Sequence, residues 1–250
     1  MKPLVYSEKH RMTYYETDSM GRSLLSMLLD LIVLVSEDQS NALKIGPHLT
    51  QAMHVGWVVI QYSVRINRLP VNEQDIELST RSSSCNRFLA YREFWIKDQS
   101  GKTLVYVRSQ WILMNLLNRQ LSPIPQKLIR PYGAKEVGMI PHLTRPKLID
   151  LTGRVRKKTY RVRYSDIDIN RHVNNSRYLE WMCDTLSIQF LKKYSPKGID
   201  LRFKNEVDYG HCVISKVQII PDHGRIITRH EIWSQNHLSA IANLTWWKKN

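Results

Sequence analysis

Apolar side chains occupy every second position along several short stretches of the chain, and this alternation predicts strands with one buried face. The clearest case places Val58, Ile60, Tyr62, Val64 and Ile66 on one face. Composition and spacing predict further strands at 75–84, 88–97, 103–114, 160–164, 199–206, 212–220, 225–234 and 238–247.

Two other segments have the spacing of helices. Residues 23–42 are apolar almost all round, as expected for a helix enclosed by other structure. Residues 174–194 carry a single apolar face, formed by Tyr178, Leu179, Met182, Leu186 and Phe190. Each predicted helix follows a strand and precedes a run of strands, which indicates an α+β fold with a curved sheet around each helix.

The chain repeats this plan. Placing Asp18 over Asp168, an offset of 150 residues, aligns several further pairs: Tyr14 with Tyr164, Arg22 with His172, Leu28 with Tyr178, Leu29 with Leu179 and Asp30 with Glu180. With small gaps, Arg92–Trp95 matches His230–Trp233, and Trp111 matches Trp246. We therefore predict two fused copies of one domain.

The predicted domains cover 1–130 and 157–250. Between them, 131–156 contains several Pro and Gly residues and little periodicity. We expect this segment to be a linker that crosses the surface.

The net charge of the chain is +15, from 37 Lys and Arg against 22 Asp and Glu. A positive field attracts polyanions, which include nucleic acid, anionic lipid, coenzyme A and acidic proteins. Charge alone does not select among them, and a solvated basic surface would have the same composition.

The remaining composition argues for a cytoplasmic protein without a cofactor. Cys85, Cys183 and Cys212 form no CxxC pair, so neither a zinc site nor a disulfide framework is predicted. No metal cluster or phosphate-binding glycine loop is evident. The first ten residues lack the apolar core of a secretory signal, and the longest apolar run is shorter than the ~20 residues of a membrane span.

Five polar side chains spaced two apart lie between the strand and the helix of the second half: Asp166, Asp168, Asn170, His172 and Asn174. A carboxylate, an amide and an imidazole can together activate water, and the N–H groups of a helix start can hold an oxyanion. Asx residues in loops commonly cap backbone groups, and we expect this structural role for Asp166, Asn174 and Asn175.

The first half has Asp18, Met20 and Arg22 at the positions of Asp168, Asn170 and His172. It keeps one carboxylate and lacks both the amide and the imidazole. This difference predicts one catalytic half and one half with another role.

The run from Asp166 to Asn175, Asp-Ile-Asp-Ile-Asn-Arg-His-Val-Asn-Asn, followed after two more residues by Tyr178, resembles the signature of acyl-acyl carrier protein thioesterases of the plant FatA and FatB type and their bacterial relatives. Segments 56–70 and 111–125 resemble first-half strands of the same family. The resemblance implies two tandem hot-dog domains, each a curved antiparallel sheet wrapped around a long helix. It also implies that the first domain binds the acyl chain and the second is catalytic.

The resemblance further implies a catalytic group of four residues, in which Asp168, Asn170 and His172 are joined by Glu206. Plant members have Cys after this Glu, whereas this chain has Val207, so a Cys nucleophile is not expected. Either carboxylate would act as the base on water or attack directly. Asn170 and the helix-start N–H groups would hold the thioester oxygen, and His172 would orient a carboxylate or carry a proton. Cys212 is expected to be a buried apolar residue.

For the acyl chain, the candidate walls in the first half are Leu24, Leu28, Trp57 and Val59. Ordinary core packing is the alternative for each of them. The implied partner is the acidic acyl carrier protein, which a basic surface would attract. The possible contacts with it, which the sequence does not rank, are Arg65, Arg68, Arg161, Arg163, Arg171, Arg177, Lys192 and Lys193. The fused halves already supply a hot-dog pair, so a monomer or a homodimer is expected.

Three other functions remain open. An acyl-coenzyme A thioesterase of the hot-dog superfamily would carry a related loop, but the tandem plan and Glu206 favour the carrier enzyme. A hot-dog dehydratase would draw its His and acid from different halves, unlike the clustered loop here. A non-enzymatic acyl-binding or nucleic-acid-binding protein is less favoured, because no helix-turn-helix is evident and the cations are scattered.

Overall fold

The computed structural model describes residues 3–150, 152–169 and 171–249. The strands, in chain order, are β1 (Val5–Arg11), β2 (Val55–Ile66), β3 (Asp75–Cys85), β4 (Leu89–Asp98), β5 (Thr103–Asn115), β6 (Leu121–Ser122), β7 (Lys135–Glu136), β8 (Val155–Arg161), β9 (Tyr194–Phe203), β10 (Cys212–Asp222), β11 (Arg225–Ser234) and β12 (His237–Lys248). The helices are α1 (Leu25–Ala42), α2 (Pro47–Ala52), α3 (Gln126–Ile129), α4 (Asn175–Asp184) and α5 (Ile188–Lys193).

All twelve strands within the described residues belong to one sheet. Its order is β1-β3-β4-β5-β2-β9-β12-β11-β10-β8, with β6 beside β5 and β7 beside β3. Each half contributes five long strands in the same relative order, and the antiparallel pair β2–β9 joins the two halves. The outermost strands are β1 and β8.

We name the two ends of the sheet after the two ends of β9, the Phe203 end and the Tyr194 end. At the Phe203 end, Ala240 lies opposite Phe203, and the pairing continues outward to Arg161 opposite Cys212. At the Tyr194 end, Arg65 lies opposite Gly198. From there the pairing continues through the strands of the first half to the Arg11 end of β1, which lies opposite Asp75. The loop of Asp168 therefore lies at the Phe203 end, and the loop of Asp18 lies at the Tyr194 end.

Helices α1 and α4 pack side by side on one face of this sheet. Their apolar residues form one core with the strands, and Leu28, Ile32, Leu179 and Met182 are almost completely buried. Burying a side chain of this size contributes about 2 kcal/mol. A curved sheet around a helix, present twice, is the tandem hot-dog arrangement that the resemblance implies. We call the opposite face of the sheet its outer face.

The predicted helix over 23–42 is confirmed by α1, but the single helix predicted over 174–194 is wrong. Helix α4 ends at Asp184, and α5 begins at Ile188. The hydroxyl of Thr185 donates to the carbonyl of Met182 (2.5 Å), and the hydroxyl of Ser187 accepts from the N–H of Phe190 (3.2 Å). These side chains satisfy backbone groups locally, so the helix stops and a new one starts.

The strand predicted at 160–164 is also displaced. Strand β8 begins at Val155 and ends at Arg161. Tyr164 lies in a 3-10 turn, because the carboxylate of Asp166 accepts the N–H of Arg163 (2.8 Å) and closes the chain there.

A bulge modifies the predicted alternation of β2. The register with β5 shifts between Val59 and Gln61. Beyond this shift the inward face changes parity, so Val59 and Tyr62 both point into the core.

One match of the repeat is out of register. The strand pairing, followed inward from β1 and from β8, aligns Trp111 with Trp246 as predicted. The same pairing offsets Arg92–Trp95 by two residues from its sequence match with His230–Trp233. A shift of two leaves each side chain on its original face, so hydrophobic periodicity does not detect it.

The segment between the halves crosses the outer face of the sheet in the spatial order of the strands. Its backbone bonds to side chains of β5, β2, β11 and β10 in turn, which are Gln110, Gln61, Glu231 and Gln218. Leu143 and Ile140 are buried against Tyr91. This segment is therefore a strap that covers polar side chains of the sheet. Among the described residues, no helix combines the length and the apolar character needed to cross a membrane.

Candidate active site

The loop between β8 and α4 is built around Asp168. The N–H of Asp168 donates to the carbonyl of His172 (2.8 Å), and the N–H of Arg171 donates to the carbonyl of Asp168 (3.0 Å). The carboxylate of Asp168 also accepts the N–H of His172 (3.3 Å). Arg171 has a φ of 66° in this turn. Asp168 thus fixes the backbone that presents the imidazole of His172.

Asp166 and Asn174 close the two ends of this loop. The fully buried carboxylate of Asp166 binds the guanidinium of Arg163 (3.0 Å), and its carbonyl accepts the N–H of Asn174 (2.8 Å). The side chain of Asn174 accepts the N–H of Ser176 (3.1 Å) and caps α4. The structural roles expected for Asp166 and Asn174 are confirmed, and Asn175 is the first residue of α4.

The structure brings Glu206 to His172. Glu206 lies in the segment that follows β9, and its Oε2 is 3.5 Å from Nε2 of His172. The side chains are 40% and 32% exposed, so solvent reaches the pair. Of the four predicted catalytic residues, Asp168, His172 and Glu206 share this site, and Asn170 lies outside the described residues.

A residue that the sequence did not suggest completes the surroundings of Glu206. Arg119, in the turn between β5 and β6, forms an ion pair with the same Oε2 of Glu206. Its φ of 59° is held in a turn where Asn115 accepts the N–H groups of Leu117 and Asn118. The first half of the chain therefore supplies a cation to the site of the second half.

Helix α1 adds carboxylates to the same region. The amide of Asn174 donates to Asp30 (3.3 Å), and burial raises the pKa of Asp30. Burial raises the pKa of Glu37 as well, and the charges of Asp38 and Asp168 raise it further. The repeat aligned Asp30 with Glu180, but it gave no sign of this contact across the halves.

The N–H groups at the start of α4 are largely occupied. Asn174 accepts from the N–H of Ser176 through its side chain and from the N–H of Arg177 (3.0 Å) through its carbonyl. Neither N–H is available to a thioester oxygen in this arrangement.

The four candidate acyl-binding residues do not lie together. Trp57 and Val59 belong to the part of β2 nearer the Phe203 end. Leu28 is buried in the core, 1% exposed, whereas Leu24 is 37% exposed and its N–H bonds to Glu16 in the loop at the Tyr194 end.

Two further expectations concern thiol chemistry. Val207 beside Glu206 is buried and apolar. Cys212 was expected to be buried, but it is exposed, because as the first residue of β10 it points to the outer face beside Arg161.

Comparison with known proteins agrees with this architecture. The model of the acyl-ACP thioesterase N-terminal domain matches residues 3–132, and that of the C-terminal domain matches 150–249. A structure from Lactobacillus plantarum, provisionally assigned as an oleoyl thioesterase, is 39% identical with a TM-score of 0.97, over 99% of this chain and 98% of that one. The 12:0-ACP thioesterase from Umbellularia californica shares the fold, with a TM-score of 0.84 at 19% identity, over 100% of this chain and 99% of that one.

The curated relatives are longer proteins. A palmitoyl-acyl carrier protein thioesterase of Arabidopsis thaliana is 28% identical over 60% of this chain but only 38% of its own length. An acyl-[acyl-carrier-protein] hydrolase of Cuphea viscosissima is 26% identical over 77% of this chain and 48% of its own length. The match thus spans about half or less of each relative. Because the two family models together cover nearly all of the chain, it belongs to the acyl-ACP thioesterase family.

Proposed function

We propose that this chain is an acyl-[acyl carrier protein] thioesterase, which hydrolyses a fatty acyl thioester, releases the free fatty acid and so ends chain elongation. The observation that carries the proposal is the approach of His172 to Glu206 at 3.5 Å beside the Asp168 loop. An imidazole next to a carboxylate, open to water, is suited to general base catalysis.

In the proposed reaction, a water oxygen attacks the carbonyl carbon of the thioester while the imidazole of His172 takes the water proton. Glu206 stabilises the imidazolium that forms, as carboxylates do beside catalytic histidines. When the C–S bond breaks, the imidazolium returns the proton to the sulfur of the leaving thiolate, and a fatty acid remains.

Asp168 has a different role in this scheme. Its carboxylate accepts the N–H of His172 and fixes the loop that presents the imidazole. Asn170 remains the predicted holder of the thioester oxygen.

The two halves of the chain would have different roles in this reaction. We assign acyl-chain binding to the first half, 1–130, and catalysis to the second, 157–250, with 131–156 between them. Of the predicted walls, Trp57 and Val59 are the better placed, because they approach the Phe203 end where Glu206 lies. The proposed setting is the cytoplasm, with an acidic acyl carrier protein as partner and the chain acting as a monomer or homodimer.

The test is thiol release from matched palmitoyl or oleoyl thioesters on acyl carrier protein and on coenzyme A, with Asp168→Asn beside the parent. Faster release from the carrier, lost in the variant, is the expected result. Preference for coenzyme A would assign the chain to the other thioesterase class, and release from neither would refute hydrolysis.

A further inference from the structure

The outer face of the second half carries unbalanced cations at its edge. Lys157 of β8 lies directly opposite Lys216 of β10, and Arg161 lies opposite Cys212. In the described part of the chain, none of these three cations forms an ion pair. Like charges placed opposite each other weaken a sheet, so stability does not explain this arrangement.

The carboxylate opposite Lys216 is already engaged. Glu231 lies opposite Lys216 on β11, but it accepts from the N–H of Ile149 (2.9 Å) and from Nε1 of Trp233 (2.7 Å). Glu231 is only 6% exposed beneath the strap. Glu231 therefore bonds to the strap and to Trp233 rather than to Lys216, whose half-buried side chain lies over the Trp233 ring.

An apolar depression lies between these cations. Ile214, 38% exposed, is flanked by Thr159 on one side and by Trp233 on the other. Nζ of Lys216 lies 4.8 Å from the centre of the Trp233 ring. The depression has a volume of about 390 Å³ and is lined mainly by Thr159, His211, Cys212, Ile214, Trp233 and Gln235.

The equivalent edge of the first half, formed by β1 and β3, carries a different set of charges. There Arg11 of β1 lies opposite Asp75, and Lys9 lies opposite Glu77. Glu77 also forms an ion pair with Lys97 at 3.1 Å, and Arg11 forms one with Glu73 at 3.6 Å. Each of these cations faces a carboxylate, so the region is electrically balanced and polar.

The registers of the two edges give the equivalent residues. Asp75 corresponds to Cys212, and Glu77 corresponds to Ile214. The second half thus has a thiol and an aliphatic side chain where the first half has two carboxylates. The general basicity of the chain does not account for so local a difference.

This surface lies at the same end of the sheet as the candidate active site. Arg161 ends β8 and leads directly into the Asp168 loop. His211, which lines the depression, follows Glu206 in the segment after β9, and its carbonyl accepts the N–H of Val162 (2.9 Å). A protein docked here would have its prosthetic arm close to His172.

We propose that this surface docks the acyl carrier protein, an inference that rests on the proposed function. The surface consists of Lys157, Arg161, Cys212, Ile214, Lys216 and Trp233. Carboxylates of an acidic helix would face the cations, and an apolar side chain of that helix would enter the depression. A second copy of the chain fits poorly, because β8 edges paired with each other would bring their cations together.

The proposal also separates five of the eight basic residues singled out in the sequence. Arg161 belongs to the docking surface. Arg65 and Arg68 lie at the Tyr194 end, as do Lys192 and Lys193 just before β9. These four are too far from the candidate active site to guide the same partner.

The experiment compares two double variants that change the net charge equally. Arg161→Glu with Lys216→Glu alters the docking surface, and Lys9→Glu with Arg11→Glu alters the matching edge of the first half. Each is assayed with an acyl carrier protein thioester and with the same acyl group on pantetheine. For the first variant we expect kcat/KM on the carrier to fall about tenfold, with the pantetheine ester unaffected. For the second we expect neither to change.

Equal losses in both variants would overturn the proposal, because they would indicate the field of the whole molecule. Loss on pantetheine as well would indicate damage to the site. A dimer in the parent that the first variant dissociates, or duplex DNA binding that only the first variant loses, would assign the surface to another occupant. If the parent hydrolyses neither ester, the proposed function fails. Calorimetric titration with the holo carrier then tests docking separately, and binding that the first variant retains refutes it.

Discussion

The loops of Asp18 and Asp168 share one backbone arrangement, but their side chains make different contacts. The N–H of Asp18 donates to the carbonyl of Arg22 (2.7 Å), just as that of Asp168 donates to His172 (2.8 Å). In the first loop, however, the guanidinium of Arg22 returns to the carboxylate of Asp18 at 2.7 Å. In the second, the imidazole of His172 faces Glu206, which comes from another segment.

This comparison separates architecture from reactivity. The aspartate is needed by both loops, since it accepts backbone N–H groups in each. The imidazole and its outside acid occur in one loop only. A carboxylate in this turn is therefore evidence of the fold, whereas the residue four positions later is evidence of the chemistry.

The sharpest test replaces the same residue in both loops. Asp168→Asn should lower kcat on a carrier thioester about 10³-fold, because it removes the carboxylate from the loop that presents the imidazole proposed as the base. Asp18→Asn should leave kcat unchanged and lower the unfolding free energy by about 1 kcal/mol through loss of the pair with Arg22. Steady-state kinetics and thermal unfolding measure both, and a similar loss of kcat in the two variants would contradict the comparison.

A second test copies the first loop into the second. His172→Arg should lower kcat by about 10² or more, because a guanidinium accepts no proton at neutral pH. The variant should fold normally, since Arg22 occupies the same position in the first half. The control is Arg22→His, which should retain full activity. Substantial turnover by His172→Arg would remove His172 from the reaction.

A third test concerns stability rather than turnover. The strand registers align buried His230 with buried Phe94. Burial lowers the pKa of His230 to about 3, against a usual value of 6.5. Between these values the unfolded chain binds the extra proton, so stability falls as the pH falls.

When the pH is lowered from 7 to 5, protonation of His230 in the unfolded chain should reduce the unfolding free energy by about 2 kcal/mol. His230→Phe, which copies the first half, should remove this part of the pH dependence. Urea unfolding at the two pH values measures it. An unchanged pH dependence in His230→Phe would show that other groups control acid sensitivity.

The smallest expected effect concerns Arg119, the residue of the first half that contacts Glu206. Arg119→Met should reduce kcat about tenfold with little change in KM, because Glu206 loses the partner that holds it near His172. Arg119→Lys should restore part of the loss. A change confined to KM would instead place Arg119 in substrate binding.

The sequence predicted the elements well where one face of each is buried. The alternation in β2 and the apolar character of α1 reflect burial, which is the strongest signal in a sequence. The break between α4 and α5 was missed, because hydroxyls such as that of Ser187 bond to the backbone without altering the apolar spacing. The displaced match of Arg92–Trp95 was missed because a shift of two conserves the face.

For the candidate site, the sequence supplied the parts that lie close together along the chain. Asp168 and His172 belong to one short run, and family resemblance added Glu206. Arg119 lies 87 residues from Glu206, in a turn without periodicity, so no local pattern indicates the contact. The bond from Asn174 to Asp30 likewise joins residues 144 apart. Contacts across the halves arise from the β2–β9 junction and become visible only in the fold.

That junction also has a genetic consequence. In a pair of identical subunits related by a two-fold axis, every substitution occurs twice, so both sites gain or lose function together. Here the continuous sheet is encoded by a single chain, and codon 22 and codon 172 can change independently. A fused chain can therefore have Arg22 in one loop and His172 in the other, and its first half can provide residues such as Arg119 to the site of the second.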